Sequence, residues 1–250
     1  MSRNFELLEQ LKNGKWKPAS VCSREPKTQA QALPEPNLET RAHAELGKLV
    51  QRLFLSGTAC ASRRVAFTGT GSGVGCTCVT IHSAEVLASQ DAGSVCLLDA
   101  TKNSLGLRAH FNLGDGPGLG GMLTGSELAN DLPLHSFARQ VRNNLWVVPG
   151  DGNQADYPVS SRPRLQSHLL ELQSQFDYVL IDTPPLVVGS NQWNLAVLTD
   201  GAVLVLKAGH TRRAVARLAI AELEAAGVKV LGTVLNQRDY PIPEVIYKRI

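Results

Sequence analysis

Val65-Ala-Phe-Thr-Gly-Thr-Gly-Ser-Gly-Val-Gly-Cys-Thr77 decides how the chain is read: an apolar run breaks into glycines and then opens a helix-like segment. Gly69, Gly71, Gly73 and Gly75 alternate through the turn. Glycine permits positive φ and lets a ligand approach backbone with no Cβ in the way. The helix expected from Thr77 to about Gln90 aims its free N–H groups and positive dipole end back at the loop. Such a terminus binds anions, most often phosphate. A tight strand-to-helix turn without a ligand does not require four glycines in seven residues, so the phosphate reading is preferred.

Two phosphate loops fit part of this stretch. In the Walker A pattern G-x-x-x-x-G-K-[ST], lysine reaches the β/γ-phosphates and the hydroxyl holds Mg²⁺. Gly75 and Thr77 fill the late glycine and hydroxyl positions, but Cys76 stands at the lysine and Thr70 at the first glycine. Thr68-Gly69-x-x-x-Gly73-x-Gly75 also resembles the T-G-x-x-x-G-x-G loop of short-chain dehydrogenases. The nicotinamide fingerprint G-x-G-x-x-G fits in no register. The loop alone leaves both readings open.

Outward from the loop, 250 residues allow one large α/β domain or two small ones. Hydrophobic residues at 43% and charged residues at 19% suit a soluble globular chain with a core of useful size. A net charge of +3, dispersed along the chain, gives no case for nucleic acid. Five scattered cysteines read as reduced thiols rather than a disulfide frame or zinc site. No secretory signal and no run of 18 apolar residues is present, so a cytoplasmic location is expected. Residues 1–38 differ in composition. Phe5-Glu-Leu-Leu-Glu-Gln-Leu11 forms a short amphipathic stretch, followed by a polar segment with Pro18, Pro26, Pro34 and Pro36 that reads as a flexible tether.

Residues 39–250 read as the folded domain. A helix is expected over 39–55, with Leu46, Leu49, Val50, Leu53 and Phe54 on one stripe. Strands are expected at 65–68, 94–99, 145–148, 178–181, 202–206 and 228–235, and further helices at 162–175 and 211–226. Nearly all-apolar strands alternating with helices predict an α/β fold: a three-layer parallel sheet with helices on both faces. Ligands on such sheets bind at the carboxyl ends of the strands, where the glycine loop, Asp99 and Asp182 all fall. A carboxylate ending an apolar strand, as Asp182 does, is the Walker B arrangement for gripping Mg²⁺. Asp99 suits either a ribose hydroxyl in a dinucleotide fold or a metal in a nucleoside triphosphatase.

Five further runs favour the second reading. They are Gly118-Leu-Gly-Gly-Met-Leu-Thr-Gly125, Asn144-Leu-Trp-Val-Val-Pro-Gly150, Phe176-Asp-Tyr-Val-Leu-Ile-Asp-Thr-Pro-Pro185, Asp200-Gly-Ala-Val-Leu-Val-Leu-Lys-Ala-Gly209 and Val228-Lys-Val-Leu-Gly-Thr-Val-Leu-Asn236. With these in order, the chain from about Glu45 to Ile250 resembles the cytoplasmic domain of bacterial tyrosine autokinases (BY-kinases), which control capsule and exopolysaccharide synthesis. That family belongs to the P-loop NTPases with deviant Walker motifs, alongside the partition and cell-division ATPases. The ending Tyr240-Pro-Ile-Pro-Glu-Val-Ile-Tyr-Lys-Arg249 resembles a tail found in some members. The dehydrogenase alternative lacks its Tyr-x-x-x-Lys pair: none of Tyr157, Tyr178, Tyr240 or Tyr247 has lysine four residues on.

The resemblance implies ATP or ADP with Mg²⁺ as the ligand. It assigns Gly71, Ser72, Gly73, Val74, Gly75, Cys76, Thr77 and Cys78 to the nucleotide loop and Asn236 to the adenine, where a strand-end cap is the alternative. Thr77, Asp99 and Asp182 become the metal residues, with Asp99 and Asp182 also catalytic. It further implies a membrane polysaccharide co-polymerase (chain-length determinant) as partner, self-association, and a place at the inner membrane through that partner. The departures bear on chemistry. Besides Cys76, Thr101 stands at the second Walker A′ aspartate, and the ring-forming helix motif E-x-x-R-x-x-R reads Glu45-x-x-Lys48-x-x-Gln51. The expectation is a nucleotide-binding protein with weakened binding and degenerate catalysis. An active kinase or ATPase that recruits a lysine from elsewhere is the alternative, and a short-chain reductase the remote one.

Overall fold

The computed structural model describes residues 38–55, 62–101, 105–116, 118–124, 137–150, 162–186 and 195–238. The tether expected over 1–38 therefore lies outside the described residues apart from Leu38, as do Tyr240 and Tyr247.

Helix α1 (Leu38–Val50) passes into a short π-helical turn, Gln51–Leu55. Then come β1 (Arg64–Gly69), α2 (Cys76–Ser89), β2 (Val95–Asp99), and two short helices, α3 (Leu105–His110) and α4 (Leu119–Thr124). The chain continues through β3 (Arg139–Arg142), β4 (Leu145–Val148), α5 (Arg162–Gln175) and β5 (Tyr178–Asp182). A 3₁₀ turn (Leu195–Leu198), β6 (Gly201–Lys207), α6 (Arg213–Ala225) and β7 (Val230–Asn236) complete it.

The seven strands lie in the order β3-β4-β2-β5-β1-β6-β7. Every neighbouring pair is parallel except β3 with β4. The central strands are apolar on both faces because both faces are covered. Val65, Phe67, Val95, Leu97, Leu180 and Val203 pack in one cluster with Ile81, Ala84 and Leu87 of α2 and with Val50 and Phe54. The alternate residues Cys96, Leu98, Val179 and Ile181 pack with Leu165, Leu169 and Leu172 of α5. Ala66 and Ala202 meet Leu223 of α6 in a third cluster. The strand period of two thus builds the expected three layers.

Two elements differ from expectation. β3 is an antiparallel edge strand, and its polar Arg139-Gln-Val-Arg142 alternates half-buried and exposed, which left no apolar run to read. The helix expected to end at Leu55 changes to π geometry after Val50. Leu53 and Phe54 still point into the core, as the stripe required. Among the described residues no helix is long and apolar enough to cross a membrane.

Candidate functional site

β1 carries the chain into the glycine loop at the carboxyl edge of the sheet, and α2 begins at Cys76. Gly75 caps that helix with φ 82°, a left-handed conformation that costs an L-residue about 1–2 kcal/mol. A Cβ there would also run into the Asn236 amide. No side chain caps the first turn of α2. Its first N–H groups are therefore free to receive an anion.

The loop is braced from the far edge of the sheet. Asn236 Nδ2 donates to the Val74 carbonyl at 2.9 Å, and Gln237 Nε2 to the Gly73 carbonyl at 3.3 Å. Of the two roles weighed for Asn236, a strand-end cap and an adenine contact, its side chain is engaged as a tie to the loop. Thr70 N–H donates to the Val205 carbonyl, and the Thr70 and Thr211 hydroxyls sit 3.3 Å apart. Thr70, Gly71, Ser72 and Val74 line a cleft of about 540 Å³ together with Lys207, His210, Thr211 and Arg212. Neither the brace nor the basic wall has a local sequence signal, because the partners lie more than 130 residues apart.

The two strand-end acids sit side by side: Asp99 and Asp182 are register partners on β2 and β5, and both are fully buried. Thr101 donates to Asp99 Oδ1 through its N–H (2.9 Å) and its hydroxyl (2.7 Å). Asp99 Oδ2 and both oxygens of Asp182 accept no well-formed hydrogen bond, although the Thr77, Cys76 and Thr80 side chains lie close to Asp182. Burial pushes the Asp182 carboxyl up to about 7; Asp99 nearby adds to the rise, while the Thr77, Cys76 and Thr80 side chains beside it oppose it. Burial likewise raises Asp99, against the pull of the Thr101 donors and the more distant Arg108. Buried carboxylate oxygens without donors are rare in folded proteins and point to a missing partner.

Cys76 occupies the first helical position with its side chain against Asp182. Burial, then the neighbouring carboxylate, raises its thiol well above the ordinary cysteine range. A helix N-terminus usually favours thiolate, but here the thiol stays neutral. Cys78 is exposed, and its thiol faces His82 one turn later.

One polar cluster escaped sequence reading. Glu85 on α2 meets His82 at 3.0 Å, His110 of α3 at 3.1 Å and Arg142 of β3 at 2.6 Å. The Cys78 and Glu85 side chains push His82 up to about 10. Burial alone would raise Glu85, but His110, His82 and Arg142 hold it well below the usual carboxylate range. Arg108 of α3 donates to the carbonyls of Gly150, Gly114 and Gly116. These contacts fasten the glycine-rich connection beside the acids.

Thr77, Asp182 and Asp99 present hard oxygen donors, including three without partners, which suits Mg²⁺. Among the described residues no three His, Cys, Asp or Glu side chains form a metal-binding group. An ion here would be held by one or two carboxylates plus phosphate oxygens. The donor set and the loop therefore fit a magnesium-bound polyphosphate, except at Cys76.

No protein-family model matches the chain. It is similar to the tyrosine-protein kinase Ptk of Acinetobacter johnsonii, 26% identical over 172 residues, covering 69% of this chain and 23% of that protein. It is also similar to the tyrosine-protein kinase CpsD of Streptococcus agalactiae, 29% identical over 143 residues, covering 56% of this chain and 61% of that one. The chain thus matches about a quarter of the length of Ptk and under two thirds of CpsD. In structure it is similar to the kinase domain of the Escherichia coli tyrosine kinase ETK, with TM-score 0.65, 22% identity, and coverage of 87% of this chain and 86% of that one. The cell-division protein MinD of Aquifex aeolicus shares the fold at TM-score 0.55 and 22% identity, covering 75% of this chain and 72% of that one.

Proposed function

We propose that this P-loop domain, of the bacterial tyrosine autokinase family, binds ATP or ADP with Mg²⁺ but has lost efficient phosphoryl transfer. It serves instead as a regulatory partner in exopolysaccharide or capsule synthesis and export. Its own partner is a membrane polysaccharide co-polymerase, which brings it from the cytoplasm to the inner membrane.

One observation carries the reading: a neutral thiol, Cys76, stands against Asp182 in a loop whose other features favour phosphate. The uncapped start of α2 binds and orients phosphate oxygens, while Thr77, Asp182 and Asp99 hold the ion. Mg²⁺, when bound, would neutralise charge on the phosphates. Losing a charge-assisted hydrogen bond removes about 1.5–3 kcal/mol of binding, which weakens affinity without abolishing it. Transfer suffers more, because a donor aimed at developing charge typically contributes ~10²–10³ in rate. A thiol at this position cannot supply that charge, and a thiolate would repel it. Thr101 compounds the defect: it supplies no second carboxylate and engages one oxygen of Asp99.

Equilibrium binding of ATP and ADP to purified protein, with and without Mg²⁺, tests the binding half of the proposal. Saturable, Mg²⁺-enhanced binding is expected. No binding of either nucleotide would leave a purely structural role.

A further inference from the structure

The cleft beside the glycine loop is lined by loop residues and by basic residues. Lys207, His210 and Arg212 line it together with Thr70, Gly71 and Ser72, around a volume of about 540 Å³, and among the described residues no acidic residue lines it. Among the described residues none of the three basic groups has an ion-pair or side-chain hydrogen-bond partner. Lys207 is half-buried at the last position of β6. A group of cations without a counter-charge raises the local concentration of anions.

The turn that presents Lys207 is held firmly. Lys207 N–H donates to the Thr211 hydroxyl at 2.9 Å, and the Lys207 carbonyl accepts from the N–H groups of Thr211 and His210. Gly209 turns the chain at φ 70°. Ala208 N–H donates to the Asn236 carbonyl, tying the turn to the residue that braces Val74. The Thr211 hydroxyl in turn meets Thr70 of the loop. The backbone of Lys207 is therefore fixed relative to the loop by hydrogen bonds.

Resting on the nucleotide reading above, we propose that Lys207 supplies the phosphate-facing cation that the loop lacks at Cys76. Arg212 adds a second charge at the mouth of the cleft, and the ligand is the polyphosphate of a nucleotide. A lysine entering from β6 approaches from a different side than one on the first turn of α2. It serves to hold the phosphates and does not restore transfer.

Four proteins decide it: the unchanged chain, Lys207→Gln, Lys207→Arg, and Lys207→Gln combined with Cys76→Lys. Each is titrated with Mg-ATP and, separately, with inorganic tripolyphosphate, which carries the phosphates without the base. Lys207→Gln is expected to weaken both ligands by about tenfold or more, the equivalent of one charge-assisted hydrogen bond. Lys207→Arg should retain binding, and Cys76→Lys should rescue the Lys207→Gln protein. Retained charge-dependence in the arginine variant separates a phosphate contact from a folding defect. Unchanged affinity in Lys207→Gln, while the unchanged chain binds Mg-ATP, would overturn the role of Lys207 and leave the nucleotide reading standing. An unchanged chain that binds no Mg-ATP would overturn both.

Discussion

At the scale of single residues, the site is defined by one missing charge. With lysine absent, Asp182 is buried beside a neutral thiol and a second acid, and its carboxyl titrates near 7. The native state therefore holds a proton on Asp182 at pH values where the unfolded chain has released it. The stability that this proton confers is complete near pH 4, declines as pH rises, and is gone above about 7, a loss on the order of 4 kcal/mol for a shift of this size. His82, raised to about 10, acts in a higher window: its contribution is full below about 6.5 and is lost as pH climbs toward 10. Asp182→Asn isolates the first effect. Its melting temperature without Mg²⁺ should exceed that of the unchanged protein by a margin that grows from pH 5 to 7 and then levels off. A constant margin would mean that Asp182 titrates normally. Cys76→Lys should lower the Asp182 pKa, because an opposite charge favours the carboxylate. The same substitution should tighten Mg-ATP by roughly one charge-assisted hydrogen bond, about 1.5–3 kcal/mol in a calorimetric titration. Adding Thr101→Asp removes the hydroxyl that occupies Asp99 Oδ1 and supplies a second carboxylate, so slow ATP hydrolysis should appear in the double variant. The glycines, Asp99 and Asp182 were legible in the sequence because each lies within a local strand-to-loop pattern. The tie from Asn236 to Val74 and the position of Lys207 were not, since only the folded sheet brings β6 and β7 to the loop.

At the scale of elements, α2 joins two polar systems. Its first turn faces the acids, and one turn on, His82 and Glu85 join it to α3 and β3 through His110 and Arg142. The apolar strands could be read from composition alone, because burial on both faces leaves an uninterrupted hydrophobic run. β3 could not, being short, polar and half exposed, although Asn143-Asn144 before β4 is a turn signal, with Asn144 at φ 59°. α1 bears on assembly. Lys48 pairs with Glu45 on its own helix at 2.6 Å, with both side chains largely exposed. That engages the acid the family resemblance would offer to a neighbouring subunit, and Gln51 carries no charge. A pair so exposed adds little stability in either arrangement. The expected state is a monomer or weak dimer. Sedimentation at micromolar concentration checks this, and a stable octamer would contradict it.

At the scale of the whole molecule, the sequence specifies a P-loop fold, and the proposed function assigns its loop binding without efficient transfer. Fold and function separate here for a physical reason. The sheet depends on buried apolar area spread over seven strands and three clusters; Thr101 belongs to none of these clusters, and Cys76 packs only against the margin of the first. Binding and transfer also have different physical requirements. Many backbone donors can hold phosphates, whereas transfer needs charge placed where it builds in the transition state. On the proposed reading the protein holds Mg-ATP without passing on its terminal phosphate. The most direct measurement follows labelled phosphate from γ-labelled ATP, with Mg²⁺ and at nucleotide concentrations that saturate binding, in the unchanged protein and in Asp182→Ala. The expected result is no label on Tyr240, Tyr247 or any other tyrosine in either protein. Robust tyrosine labelling of the unchanged protein, abolished by Asp182→Ala, would contradict it.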